Sequence, residues 1–332
     1  MSGSETLLSR LQSGILVFDG AMGTTLQREN LEIKDFGGRQ GCNEALNLFR
    51  PDVVARVHRG YYEVGCDIVE TNTFGANRPK LEEYGLGERT HECNAEAARI
   101  ARKEGEAAQK VDGRPRYVAG SLGPSGFLPS SSDPDLGRVR PDALVEIFHE
   151  QTLGLLDGGV DCILAETAQD LLELRAQLHG AKAAMKERGR NVPLIAQITL
   201  DTSGRMLLGT QPLAAAAVIV QAGADVMGLN CSTGPREMVD ALRAMSEHAP
   251  LPLSCQPNAG IPENREGHAF YPLSPSDLAE ALVRFIKDFR VGVVGGCCGT
   301  TPEHMKLVVE AVRELGHVRA PPKRVAMLSS GL

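Results

Sequence analysis

Val291-Gly-Val-Val-Gly-Gly-Cys-Cys298 and Val226-Met-Gly-Leu-Asn-Cys231 are the stretches that decide how this chain folds. Each is an apolar run that reads as a strand, and each reaches cysteine after glycine or asparagine. Short continuous apolar runs of this kind belong to parallel sheets covered on both faces. If the two are neighbouring parallel strands, the sulfurs of Cys231, Cys297 and Cys298 converge at one end of the sheet. Three thiolates with one open position describe a catalytic zinc site, whereas a structural zinc shows four ligands, often in Cys-x-x-Cys pairs. Three thiolates overbalance the metal charge, so an incoming thiol is deprotonated yet stays an electron-rich nucleophile. That chemistry is thiol alkylation rather than hydrolysis. Cysteine is also a small buried hydrophobe, a reading that suits Cys66 and Cys162 at strand starts. It suits an adjacent pair poorly, because neighbouring strand residues point oppositely unless glycines turn the chain.

Outward from these runs the chain repeats a strand-then-helix pattern. Strands are expected at Ile15–Asp19, Asp67–Thr71, Arg116–Ser121, Asp161–Thr167, Pro193–Thr199, Asp225–Asn230, Leu251–Gln256 and Val291–Gly295. Helical stretches between them include Thr90–Lys110, Asp142–Gly158, Asp170–Glu187, Pro212–Ala222, Pro235–His248 and Ser274–Asp288. Asp170, Ser276-Asp277 and Thr301-Pro302-Glu303 read as helix starts, and Gly65, Gly158-Gly159 and Gly223 as helix ends. Eight such units without GxGxxG after the first strand predict an α/β fold, a single (β/α)8 TIM barrel, over a doubly wound open sheet. The long first interval, Gln27–Pro51, reads as an insertion at the barrel mouth. Residues 1–318 form the barrel in this reading, and 319–332 a linker.

Catalytic groups in such barrels come from the carboxyl ends of the strands. Those positions hold Asp19, Glu70, Ser121, Glu166, Asn230-Cys231, Gln256-Pro257-Asn258 and Cys297-Cys298. Asp19, Glu70 and Glu166 crowded together would repel unless something cationic binds, and an α-amino group is a natural partner. Backbone N–H groups after Asp19, at Gly20 and Ala21, suit an α-carboxylate. The substrate-binding set is therefore Asp19, Glu166, Gly20, Ala21 and Ser121, while Glu70 is read as a ligand or as a brace for loops. An amide oxygen, from Asn258, or a water would fill the metal's fourth position at rest; Asn258 reads equally well as a turn residue. His58, His91 and His149 are read as surface helix positions and His304 as solvated.

Composition narrows the class. The 332 residues carry a net charge of −7 with no dense Lys/Arg run, which argues against a nucleic-acid partner. No run of 18 apolar residues exists to span a membrane, and the first residues lack the basic and apolar regions of a signal peptide. Eight cysteines are too sparse for a disulfide scaffold, so a reduced, cytoplasmic setting is expected.

Gly20-Ala-Met-Gly-Thr-Thr-Leu26, Glu70-Thr-Asn-Thr-Phe-Gly-Ala-Asn77, Gly228-Leu-Asn-Cys231 and Gly295-Gly-Cys-Cys-Gly-Thr-Thr-Pro302 resemble the zinc-dependent homocysteine S-methyltransferases. The likeness runs from about residue 8 to 316 and is nearest to the N-terminal homocysteine-binding module of the cobalamin-dependent methionine synthase branch. It implies that Cys231, Cys297 and Cys298 hold Zn2+, that Asp19 and Glu166 hold the substrate amino group, and that Asn258 occupies the metal until L-homocysteine displaces it. It further implies methylcobalamin, carried by another domain, as donor, with methionine as product. Cobalamin- and folate-binding modules are then expected as partners, with Met327-Leu-Ser-Ser-Gly-Leu332 beginning the linker of an excised module. A standalone enzyme using S-methylmethionine or S-adenosylmethionine is the alternative, and a noncatalytic zinc-binding barrel the alternative of another class. A betaine donor is disfavoured, since no Trp is available for an aromatic cage.

Overall fold

The computed structural model describes residues 6–248, 250–265 and 268–316. The expected 319–332 linker lies outside the described residues. Eight strands form one parallel sheet: β1 (Leu16–Val17), β2 (Ile68–Glu70), β3 (Tyr117–Leu122), β4 (Cys162–Ala168), β5 (Leu194–Ile198), β6 (Val226–Asn230), β7 (Leu253–Gln256) and β8 (Val291–Val294). Each pairs with its sequence neighbour, and β1 pairs with β8. A bridge between Phe18 and Ile68 then joins β1 to β2 and closes the ring. The expected (β/α)8 barrel is what the chain builds.

Helix boundaries follow from local chemistry. Pro51, Pro141, Pro212, Pro275 and Pro302 each stand at a helix start, where a missing N–H costs nothing. Asp170 caps Leu171–Arg188 as expected, its carboxylate accepting from the N–H groups of Leu172 and Glu173. The cap of Pro275–Phe289 is Ser274 rather than the expected Ser276-Asp277, because the Ser274 hydroxyl reaches the N–H of Asp277. Helices Pro51–Val64, Pro141–Gly158 and Pro212–Ala222 end on left-handed Gly65, Gly159 and Gly223, the conformation glycine adopts without strain.

The barrel interior changes character along its axis. Its floor packs Leu16, Phe18, Ile68, Ala119, Cys162, Leu164, Ile195, Val226 and Val293, with Leu7 of the N-terminal helix Leu7–Ser13 against them. Truncating Phe18 to alanine there would cost about 3–5 kcal/mol. Higher up, polar groups replace apolar ones in a chain of hydrogen bonds. Gln197 Nε2 donates to Ser254 Oγ (3.0 Å) and Gln256 Oε1 (2.5 Å), and Gln256 Nε2 donates to Glu70 Oε1 (2.5 Å). This bond supports the bracing role for Glu70.

The insertion after β1 does sit at the mouth. It holds the short helix Leu46–Phe49 and two 3-10 turns, Ile33–Phe36 and Asn43–Ala45. Asn47 Nδ2 donates to the Asn72 carbonyl (2.8 Å), and Gly75 N–H donates to Glu44 Oε1 (2.8 Å), which ties the insertion to the loop after β2. After β7 comes an exposed antiparallel hairpin, Glu263–Arg265 with His268–Phe270, which the sequence reading did not anticipate.

Two histidines depart from expectation. His58 is fully buried, with both ring nitrogens unpartnered among the described residues. Burial draws it down to about 3, so it stays neutral. His304 is also buried: Nδ1 meets the Thr301 hydroxyl (2.9 Å) and Nε2 the Leu273 carbonyl (3.1 Å). It braces the loop after β7 instead of facing solvent. Cys66 and Cys162 are fully buried, as their apolar reading requires.

Candidate functional site

The strand ends deliver the cysteines to one place. β6 stops at Asn230, and Cys231 and Ser232 follow with φ of 59° and 63°, a left-handed backbone that strains any non-glycine residue. Their conformation is held by Cys231 N–H donating to the Gln256 carbonyl (3.1 Å) and Thr233 N–H to the Cys231 carbonyl (2.7 Å). β8 stops at Val294, and Gly295-Gly296 lets the chain turn so that Cys297 and Cys298 face the same centre. A Cβ at Gly296 would lie 2.4 Å from Thr300 Oγ1, so only glycine fits there. The three sulfurs lie within 4.8 Å of one another, and Cys231 Sγ is 3.8 Å from Cys298 Sγ.

Their protonation is shared. Hydrogen bonds with Cys231 and Cys297 draw the Cys298 thiol down to about 3. The Cys297 thiol is pushed well up by its hydrogen bonds to Cys231 and Cys298 and by burial. Three neighbouring thiols that share protons in this way give them up to a soft cation. The soft donor set and the one-sided arrangement both suit zinc.

Asn258, buried at the end of β7, points its Oδ1 at the backbone N–H of Cys298 (3.1 Å). The amide thus already steadies the cysteine turn.

Beside the sulfurs is a cavity of about 220 Å³, lined by Gly20, Ala21, Ser121, Glu70, Glu166 and the three cysteines, among others. No lysine or arginine lines it among the described residues. Glu166 is buried and well furnished with donors. Ser121 Oγ donates to Oε1 (2.5 Å), and Asn230 Nδ2 (2.9 Å) and Thr167 Oγ1 (3.4 Å) donate to Oε2. Thr167 is itself left-handed, φ 54°, held by its N–H donating to Asn230 Oδ1 (2.8 Å). Burial raises the Glu166 carboxyl, and its hydrogen-bond donors pull the other way.

Asp19 is buried beneath the glycine turn. Its Oδ2 accepts from Glu70 N–H (3.0 Å), while Oδ1 has no partner. Burial, and then the Glu166 charge, push its carboxyl well up. Glu70 is raised in the same way by burial and by Glu166 and Asp19. Three coupled carboxyls with one orphaned oxygen leave a place for a cationic group. Ala21 N–H donates to Thr300 Oγ1 (3.1 Å), so an incoming carboxylate would share or displace that bond.

Sequence reasoning missed two residues here. Asn230 locks both Glu166 and Thr167. Its place beside Cys231 at a strand end was the available signal. Tyr271, after the hairpin, packs its ring against Gly299, the residue after the cysteine pair. No sequence signal marks it.

Comparison with known proteins gives the family. Residues 16–312 match the Homocysteine S-methyltransferase family, to which the chain belongs. It is 45% identical over 320 residues to methionine synthase of Mycobacterium tuberculosis (strain ATCC 25618 / H37Rv), covering 96% of this chain and 26% of that protein. Methionine synthase of Mycobacterium leprae (strain TN) is also 45% identical, over 306 residues, 92% of this chain and 25% of that protein. The chain therefore spans about a quarter of the length of these curated relatives. Among solved structures, the metallated homocysteine methyltransferase MmuM from Escherichia coli superposes with a TM-score of 0.72 at 22% identity, covering 90% of this chain and 96% of that one, which supports the fold.

Proposed function

We propose that this chain is the homocysteine-activating barrel of a methionine synthase, with Cys231, Cys297 and Cys298 as zinc ligands and L-homocysteine as substrate. The observation that carries this reading is the convergence of three sulfurs beside a carboxyl-lined cavity that, among the described residues, holds no basic side chain. When bound, zinc would supply a fourth coordination position at which a thiol is held as thiolate near neutral pH.

The remaining work falls to the chain's own groups. Asp19 Oδ1, lacking a partner, and the Glu166 carboxylate would take the α-ammonium. Gly20 and Ala21 would offer N–H groups to the α-carboxylate. Ser121 would act through the Glu166 carboxylate it already holds. With both charged ends so held, its side chain would extend toward the cysteines that line the same cavity. Asn258 is the proposed amide partner of the resting metal, water being the other choice.

The methyl group would come from methylcobalamin on another domain, with residues 319–332 beginning a linker toward a folate-binding module. The methionine synthase relatives favour that donor over S-methylmethionine or S-adenosylmethionine. A cytoplasmic location follows the same kinship, and no described helix is long and apolar enough to cross a membrane. Zinc-edge X-ray absorption with and without L-homocysteine tests the core of this reading. The expected shell passes from three sulfurs and one oxygen or nitrogen to four sulfurs. An unchanged shell would overturn the substrate assignment and favour a noncatalytic barrel.

A further inference from the structure

The carboxylate and the sulfurs of the site come from strands that are not neighbours. Glu166 stands on β4 and Cys231 follows β6, with β5 between them in the sheet. Asn230, the last residue of β6, reaches across that gap. Its Nδ2 donates to Glu166 Oε2 (2.9 Å) and to Thr167 Oγ1 (2.9 Å), and its Oδ1 accepts from the Thr167 N–H (2.8 Å). One carboxamide thus spends both donor hydrogens and its oxygen on two consecutive residues of a strand two places away. Asn230 is 1% exposed and is not among the residues that line the cavity, so it works through its partners rather than on a ligand.

The segment it grips is irregular. The pairing of β4 with β5 shifts register between Ala165 and Ala168, so Glu166 and Thr167 bulge from the ladder. Thr167 is left-handed, φ 54°, a conformation that costs a threonine and persists only where neighbours hold it. Ser121 holds Oε1 of Glu166 while Asn230 and Thr167 hold Oε2, so the carboxylate is tethered at both oxygens and still lines the cavity. At its other side Asn230 leads straight into Cys231, whose N–H is tied to the Gln256 carbonyl (3.1 Å). The amide that aims the carboxylate and the first sulfur are consecutive residues of one restrained turn.

Resting on the homocysteine reading above, we propose that Asn230 is a positioning residue that makes the site select thiols bearing an amino group, by holding Glu166 in the orientation that meets the ammonium. An ammonium gains most from a carboxylate whose direction is fixed before it arrives. Aspartate at 230 has nearly the same shape but no N–H to donate, and sets a second carboxylate oxygen against Glu166 Oε2. Alanine removes the grip without adding charge.

The test measures, by titration calorimetry on zinc-loaded protein, the affinities for L-homocysteine and for desamino-homocysteine, the same thiol acid without its amino group. In Asn230→Asp and Asn230→Ala the homocysteine affinity is expected to fall roughly tenfold, the scale of one hydrogen bond to a charged group, with desamino-homocysteine within about twofold of wild type. The ratio of the two affinities is the readout, because a general loosening of the site would weaken both ligands together. Parallel loss of both ligands, an unchanged homocysteine affinity, or loss confined to Asn230→Asp overturns the proposal. Loss of zinc from both variants also overturns it, placing Asn230 in support of the cysteine turn. A zinc-loaded wild type that binds neither thiol overturns the functional reading and this proposal with it, whereas a wild type that prefers homocysteine and variants that keep that preference overturn this proposal alone.

Discussion

Replacing Glu166 with glutamine separates substrate binding from metal binding. The carboxylate is buried and accepts from Ser121, Asn230 and Thr167. A glutamine oxygen can keep the Asn230 bond while its amide faces the Ser121 hydroxyl, which can turn to accept, so the fold survives the change. What is lost is one negative charge opposite the proposed position of the substrate ammonium. A hydrogen bond to a charged group contributes about 1.5–3 kcal/mol, or roughly ten- to hundredfold in affinity. Two features of the site place the effect in the lower half of that range. Asp19 remains as a second carboxyl for the ammonium, and removing the Glu166 charge relieves part of what, after burial, holds Asp19 and Glu70 up. Homocysteine binding to the zinc-loaded variant, measured by titration calorimetry, is therefore expected to weaken roughly ten- to thirtyfold. Zinc content should not change. Affinity within twofold of wild type would show that the ammonium is held elsewhere, and loss of zinc along with affinity would place Glu166 in support of the metal.

Three further outcomes follow from the same geometry. Cys297→Ser should lose most zinc and all methyl transfer while the circular dichroism of the barrel persists; retained activity would remove Cys297 from the ligand set. In Asn258→Ala the homocysteine-free zinc shell should exchange an amide oxygen for water with homocysteine affinity within about threefold, since one neutral hydrogen bond to Cys298 contributes about 1 kcal/mol; loss of zinc instead would assign Asn258 solely to holding the Cys298 turn. Glu173 is fully buried beneath the loop after β3, and burial raises its carboxyl from 4.5 to about 7. Between those values the folded state keeps a proton that the unfolded chain has lost, so stability present below about 4.5 declines as pH rises toward 7. Glu173→Gln should flatten that decline by up to about 3 kcal/mol in urea melts at pH 5 and 8, and an unchanged slope would assign it to other buried carboxyls.

The barrel was legible because its strands are buried on both faces and read as apolar runs bounded by helix-ending glycines. All eight strands appear with boundaries at most two residues from expectation. The cysteine turn was legible from Gly295-Gly296, since adjacent strand residues could not otherwise share a centre. Other features carried no local signal. Charged Glu263–Arg265 shows no alternation, so its hairpin was invisible. His58 and His304 are ordinary polar residues on helices, and only tertiary packing decides that they are buried. Tyr271 lies far before Gly299 in the chain, and its ring meets that glycine across a loop neck tied by the Leu273 N–H to the Ala259 carbonyl. The cap at Ser274 rather than Ser276 turned on which hydroxyl meets an N–H three residues on.

The closure of the barrel has a thermodynamic consequence. β1 contributes two residues, and the seam to β2 rests on the Phe18–Ile68 bridge with Asp19 N–H to the Ile68 carbonyl (2.9 Å) and Asp67 N–H to the Val17 carbonyl (2.8 Å). The Asp19 carboxylate extends that seam by accepting the Glu70 N–H, and its other oxygen is the one proposed to meet the substrate. Opening the seam and releasing the ammonium are therefore linked events, and a ligand that charges Asp19 strengthens the bond that completes the ring. Amide exchange at Glu70 should slow when homocysteine binds, more than exchange at β4 or β5 on the far side. In that case the substrate is part of the cylinder's cohesion as well as its cargo.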